Sequence, residues 1–363
     1  MATTIILLIV VAIYIYLVAR CSVAFLRYND NFNNVSQSEN YSADIVVAAK
    51  NEAANISAFL DRIKKQTLSH CHLILVDDNS TDNTYQLVKQ SNERNITLLR
   101  NIGSGKKSAL KYGISHSTAP YIFSTDADCL VENQWAQSLV SAAISNDADM
   151  IMAPVIIEAY NNQSIFQRLW QAESFALITI TAGTCILGHP VMCNGGNIGY
   201  SASFLKKSLS DINSKYASGD DMFMMESAER QHKKIVYVKS PKAVVATKGV
   251  QNLSELLNQR ARWVSKTGGY TDSYIIFFAL AILLGNISAI VSLILSIFSE
   301  VSWWATFLLL TLKFAADYAS VYVSSEYYGH HQRFVDVLIL GIVYPYYVVA
   351  SIVTYFICGF KWK

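Results

Sequence analysis

The chain has 363 residues, enough for one large domain or two small ones. Just over half of them are apolar and 15% are charged, a balance too hydrophobic for an ordinary soluble enzyme and too polar for a bare membrane bundle. The net charge of +2 comes with no long run of one sign, which excludes a nucleic-acid partner and a charged disordered tail.

Residues 1–19 carry no charge and are rich in Ile, Leu, Val and Tyr, as a transmembrane anchor requires. A cleaved signal peptide would need a basic start and a small-x-small site before Arg20, and both are missing. Arg20 and Arg27 follow, placing the next segment on the cytoplasmic side by the positive-inside rule. Residues 20–42 read as a polar linker, Asn- and Ser-rich from Asn29 onward. The six cysteines are irregularly spaced with no CxxC pair, which fits a reduced, cytosol-facing compartment and argues against structural zinc.

From residue 43 to 272 the composition is globular, and its first half alternates strand and helix patterns. Residues 44–49, 73–76, 96–99 and 121–124 read as short buried strands of a mainly parallel α/β sheet. Three of them run straight into polar residues: Lys50-Asn51-Glu52, Asp77-Asp78-Asn79-Ser80 and Thr125-Asp126-Ala127-Asp128. One Asp-rich turn is ordinary helix-capping chemistry, but three on one sheet edge are not. Carboxylates converging there repel one another unless a cation joins them, and hard oxygen ligands suit Mg²⁺ or Mn²⁺. Gly103-Ser104-Gly105-Lys106-Lys107 adds flexible backbone and cations suited to phosphate, without the full P-loop pattern.

Farther on, a helix starting near Ser164 places Phe166, Leu169, Trp170, Phe175, Ala176 and Ile178 on one face, either at a bilayer surface or in a core. Cys193-Asn194-Gly195-Gly196-Asn197 is either a simple turn or part of an acceptor pocket, with Asn194, Gly195 and Asn197 as its contacts. Ser218-Gly219-Asp220-Asp221 opens another helix with two acids where a cap needs one, so one carboxylate is available as a general base. Gln259-Arg260-Ala261-Arg262-Trp263 has the composition of a basic, aromatic interfacial flank. Residues 273–363 form a C-terminal membrane region with spans at about 273–299, 301–325 and 337–360. Lys313 and Asp317, four apart, can pair on one helix face. Four spans put Lys361 and Lys363 outside, against the charge rule, and Pro345 is the place for a re-entrant or interfacial last segment.

The ordered series KNE, VDDNSTD, a GK segment, TDAD, NGGN, GDD and QRARW resembles the inverting GT-A glycosyltransferases of glycosyltransferase family 2. The resemblance is strongest to the membrane-embedded cellulose-synthase-like and ceramide-glucosyltransferase-like branches, and it spans residues 44–263. It implies a GT-A domain over residues 43–272, a Rossmann-like, mostly parallel sheet with interfacial helices. It gives Glu52, Asp77 and Asp78 to the nucleotide base and ribose and Lys106 to the diphosphate. Asp126 and Asp128 match the DxD pair, the second binding the metal and the first helping to hold metal and nucleotide. Asp221 matches the catalytic base, with Asp220 where Glu is more frequent, and Gln259, Arg262 and Trp263 match QxxRW, which closes over donor and acceptor.

The resemblance thus implies a metal-dependent hexosyltransferase, multi-pass, with its catalytic domain facing the cytoplasm. A nucleotide-sugar, by family weight a UDP-sugar, would donate to a membrane lipid or lipid-linked glycan. A base at Asp221 favours a hydroxyl acceptor, since a lipid phosphate is already ionised near neutral pH. The rivals are a processive polysaccharide synthase, a nucleotidyl- or phosphotransferase, and a non-enzymatic nucleotide-sugar sensor.

Overall fold

The computed structural model describes residues 2–30, 41–91, 93–158, 164–211 and 219–359. Residues 31–40 of the expected linker, residue Ser218 and the terminal lysines lie outside these. The chain divides into two compact units, one of residues 29–158 and 193–248, the other of residues 1–28, 159–192 and 249–363. Residues 159–192 and 249–272, expected within one continuous domain, thus belong to the second unit.

The first unit is built on strands β1 (Ala43–Ala49), β2 (Cys71–Asp77), β3 (Ile96–Arg100), β4 (Tyr121–Ser124), β5 (Leu130–Val131), β6 (Met150–Met152), β7 (Val155–Ile157), β8 (Ile198–Ser201), β9 (Ile235–Tyr237) and β10 (Val245–Thr247). The main sheet runs β3-β2-β1-β4-β8-β6-β9, and a smaller one runs β5-β10-β7. β3, β2, β1 and β4 are parallel; β8 runs antiparallel to both β4 and β6. All four expected strands are present.

β1 is an apolar run buried on both faces, as a parallel strand covered by helices must be. Its one acid, Asp44, is buried but satisfied: Oδ2 accepts from the Ser117 hydroxyl at 2.6 Å and from the N–H groups of Thr118 and Ala119. These bonds tie the turn before β4 to the start of β1, which fixes where β4 begins. Beneath the sheet, Phe59, Phe123, Trp135 and Leu139 form a fully buried core. The parallel register aligns Ala49 with Asp77 and Val46 with Ser124, so the loops after β1, β2 and β4 leave from one edge.

The second unit is helical. Among the described residues four of its helices are long and apolar enough to cross a membrane: Ala2–Arg27, Ser273–Ile297, Trp303–Tyr327 and Phe334–Cys358. At 25 or 26 residues each, they exceed the roughly 20 that a bilayer core requires. Trp304, Phe307, Ile342 and Phe356 are all exposed on them. Such side chains suit a hydrocarbon surround better than water.

The boundaries differ from the sequence expectation in three places. The first helix does not stop at residue 19 but continues to Arg27, taking up the start of the expected linker. Arg20 rests over the Tyr16 ring at 5.6 Å and so does not break it. The last helix begins at Phe334, ahead of the expected 337, because the buried Asp336 is neutralised by Arg168 at 3.0 Å. It then passes through Pro345 as one helix, with no re-entrant break.

Helix Ile165–Ile186 starts with a capping box between Ser164 and Gln167. Trp170, Phe175 and Ile178 are buried, and the helix packs on Trp303–Tyr327, where Ser324 donates to the Phe175 carbonyl and Thr179 to that of Ser320. Trp170, Phe175 and Ile178 thus face protein, while Phe166, Leu169 and Ala176 are only partly buried. Gly183 sits against the first helix so closely that a Cβ there would lie 2.5 Å from the Cys21 Cα. Lys313 and Asp317 do pair, at 2.7 Å, and the Tyr14 hydroxyl donates to the other Asp317 oxygen at 2.6 Å.

Candidate active site

The loops leaving the sheet edge are laced together before any ligand is considered. Asn51, held at φ 56°, donates its N–H to the Ser80 hydroxyl and accepts from the Thr81 N–H. The Glu52 N–H donates to Thr84 and the Ala53 N–H to Asp82. This joins KNE to VDDNSTD and orients Glu52, whose carboxylate accepts from the Asn55 amide at 2.7 Å.

Asp77 and Asp78 separate in role. Asp78 is buried, and its carboxylate accepts from the Gly105 N–H at 2.9 and 3.1 Å and from the Asn101 amide at 2.6 Å. It shapes the glycine segment from below. Asp77 is equally buried, accepting from the Ser80 N–H through Oδ2 and leaving Oδ1 without a partner among the described residues. Of the two acids, Asp77 keeps the open lone pairs.

Helix Lys106–His116 starts with two lysines, which by itself opposes the helix dipole. Acidic partners explain the arrangement. Lys106 is ion-paired with Asp126 of the DxD, and Lys107 with Asp220 of GDD at 2.8 Å. Consecutive lysines thus bind the two acidic motifs to one helix end. In the sequence Lys107 reads only as a second cation beside Lys106, and its pairing with the distant Asp220 has no local signal.

Asp126 and Asp128 lie with Cys129 so that their ligand atoms fall within 4.8 Å of one another. The two carboxylates offer the hard oxygens that Mg²⁺ or Mn²⁺ takes. Cys129 is the softer, poorer donor: burial pushes its thiol well up, so it stays protonated, and its sulfur bonds Asp128 Oδ1 at 3.8 Å. Burial also raises Asp128, with Asp126 adding to it, and it raises Glu52, with Asp128 and Asp126 contributing. Crowded acids of this kind gain from a cation, so the residues fit the metal.

GDD opens helix Asp220–Arg230 behind Gly219, whose φ of 98° lies in the left-handed region glycine accepts most easily. The two acids face different partners. While Asp220 meets Lys107, Asp221 accepts from the Gly195 N–H at 3.0 Å and from the Met222 N–H at 2.9 Å. The NGGN turn is therefore a support for Asp221. Gly195 sits beside that carboxylate, and a Cβ on Gly196 would lie 3.6 Å from Asp126 Oδ2. Asn194 is exposed, its side-chain oxygen accepting from the Gly196 N–H.

Asn197 sits differently from Asn194 at the other end of the turn. It is buried, its amide donates to the Pro154 and Ala243 carbonyls, and its oxygen accepts from the Trp135 indole at 2.9 Å. Its polar atoms are thus engaged inside the core.

Gln259, Arg262 and Trp263 lie in the helical unit, on helix Leu253–Val264 capped by Asn252. Arg260 there is buried; its Nη2 bonds Glu173 at 2.8 Å, its Nε donates to the Tyr347 hydroxyl, and its guanidinium lies 3.9 Å from the Trp263 ring centre. Glu173 and Tyr347 are far away in sequence and gave no motif signal.

The fold and the matched segment define a class. The model of glycosyl transferase family 2 matches residues 44–209, and the architecture is an α/β GT-A fold with four candidate membrane helices. The glycosyltransferase GlyG of Streptococcus pneumoniae is 30% identical over 112 residues, covering 30% of this chain and 37% of its own. The Escherichia coli UDP-Glc:alpha-D-GlcNAc-diphosphoundecaprenol beta-1,3-glucosyltransferase WfgD is 26% identical over 128 residues, 35% of this chain and 50% of its own. The chain spans half or less of the length of these relatives. The mannosyltransferase PcManGT from Pyrobaculum calidifontis, solved with GDP-Man and Mn²⁺, superposes with a TM-score of 0.59 at 15% identity, over 96% of this chain and 99% of that one. That likeness shows a common fold.

Proposed function

We propose that this chain is a membrane glycosyltransferase, transferring a sugar with inversion from a nucleotide-sugar to a hydroxyl of a membrane lipid or lipid-linked glycan, its catalytic unit facing the cytoplasm. The observation that carries the reading is the Asp221 carboxylate, held by two backbone N–H groups in the same unit as the Lys106–Asp126 pair and Asp128. A base without a positioned donor site, or the reverse, would not transfer. The family 2 match and the names of the relatives support the donor class: WfgD is named for UDP-Glc, and PcManGT was solved with GDP-Man. WfgD is also named for a lipid-diphosphate acceptor, which with the four apolar helices supports a membrane-borne acceptor here.

Asp221 takes the proton of the acceptor hydroxyl as its oxygen attacks the anomeric carbon from the side opposite the leaving group. Inversion follows from that single displacement. Lys106, at the sheet edge, holds the diphosphate as negative charge grows on it. Asp128 and Asp126 would hold Mg²⁺ or Mn²⁺, which supplies Lewis-acid neutralisation of the departing nucleoside diphosphate. Asp77 and Glu52 are left to orient the nucleoside.

The test is transfer from a panel of radiolabelled UDP-sugars and GDP-mannose into membrane extract, with products split by organic solvent. Label in the organic phase that disappears with Asp128→Ala is expected. Label confined to aqueous polymer would overturn the lipid acceptor, and donor binding without turnover would overturn the enzyme.

A further inference from the structure

The helix end that holds Lys106 carries a second cation for which the proposed chemistry has no use. Lys107 reaches Asp220 Oδ1 at 2.8 Å, with the two side chains 17% and 21% exposed. Its Nζ also lies 5.9 Å from the ring centre of Phe223, which is buried one turn further along the same helix, Asp220–Arg230. Residues three apart share a helix face, so Lys107 grips that helix at two points on one face. All of these residues belong to the unit that contains the sheet.

Gly105 and Gly219 stand at the N-cap positions of the two helices, and neither gives a side-chain cap. The lysine helix is nevertheless anchored, because the buried Asp78 takes the Gly105 N–H. On the acid side, Asp221 takes the Gly195 N–H. Lys107 ties this first turn to the anchored lysine helix.

Stability alone does not call for the pair. An acid in the first turn is already favoured by the helix dipole, whereas a lysine in a first turn is disfavoured by its own. Burial raises the Asp220 carboxyl and Lys107 opposes that rise, so desolvation offsets part of the attraction. What the pair supplies is direction. Successive side chains on a helix diverge by about 100°, so a rotation of the first turn would swing Asp221 away from an acceptor hydroxyl and bring Asp220 round. With Lys107 on Asp220 and Phe223, that rotation is blocked.

We propose that Lys107 is a positioning residue: held on Asp220 and Phe223, it locks the first turn of helix Asp220–Arg230 so that Asp221, and not Asp220, is presented as the base. The inference rests on the transferase reading and deepens it by separating the two acids. Lys107 acts through Asp220 and takes no part in the displacement.

The experiment uses the full chain in lipid nanodiscs. Equilibrium dialysis of the donor counts binding sites and gives the donor Kd, so that turnover is expressed per site. The variants are Lys107→Met, Asp220→Asn and the double, in which neither charge is left unpaired. Each is expected to lower turnover per site about 10- to 100-fold, with the donor Kd unchanged. The double should be no slower than either single, since both changes remove one interaction. If Lys107→Met does not fold, Asp220→Asn and the double, expected to be equally slow, carry the test. A purely structural pair would reduce the number of donor sites and leave the turnover of each at the wild-type value, which overturns the positioning role. Losses that multiply in the double, or a weakened donor Kd in Lys107→Met, overturn it as well, while wild-type turnover keeps the transferase reading. A wild type that turns over no donor overturns both.

Discussion

The Gly195 N–H donates to Asp221 Oδ2 at 3.0 Å, so the NGGN turn holds the carboxylate that opens the GDD helix. This bond is made by backbone, and a Cβ on Gly195 would meet nothing closer than 3.4 Å. Gly195→Ala should therefore keep transfer within a few-fold of wild type. Asp221→Asn should lower kcat by about 10² to 10⁴ with donor affinity retained, read by initial rates and by equilibrium dialysis of the donor. Loss of donor binding in Asp221→Asn would place this residue on the wrong half of the reaction.

The DxD pair and Lys106 give effects of opposite sign. Asp128→Ala removes a proposed metal ligand and should weaken Mn²⁺ binding at least about 10-fold. Lys106→Met removes the ammonium that pairs with Asp126, so without donor it should strengthen Mn²⁺ binding while lowering transfer. Titration of free Mn²⁺ by electron paramagnetic resonance reads both. Weaker Mn²⁺ binding in Lys106→Met would contradict the electrostatic argument.

Burial pushes the Asp30 carboxyl up to about 7, against the opposing pull of the Ser240 and Lys239 backbone and the Lys239 charge. Its ordinary value is 3.8, so between these two values the folded chain holds more protons than the unfolded one. Stability then falls as pH rises through that window and levels off above it. Asp30→Asn should raise the melting midpoint at pH 8, by about 2–4 °C per kcal/mol recovered, and bring no gain at pH 4. Thermal denaturation at the two pH values checks it.

In the helical unit, Asp317 bonds both Lys313 and Tyr14. Lys313→Met strands a carboxylate that is largely buried, at a cost of about 3 kcal/mol. Tyr14→Phe leaves the ion pair whole and costs about 1 kcal/mol. Melting in detergent should rank the two in that order, and the reverse order would mean that Tyr14 alone holds the helices.

The strands, the sheet edge and the four apolar helices were legible because each is a local pattern: an apolar run of strand length, a polar triplet after it, and more than 20 uncharged or nearly uncharged residues. Helix Ile165–Ile186 was only half legible. Its apolar face is equally suited to a bilayer surface and to a helix partner, and the bonds that Ser324 and Thr179 make between helices have no local signature in the sequence.

By itself, the sequence determined which residue types stand at which strand ends, since the order KNE, VDDNSTD, TDAD and GDD is covalent. What each side chain does there is a matter of distance, and distance belongs to the tertiary structure. Gly195 and Asp221 are 26 residues apart, and no periodicity joins them. The bond between them, like the turn of Asp78 and Asn197 inward to hydrogen-bond the protein's own backbone and indole, arises because buried polar groups must find partners wherever the fold supplies them.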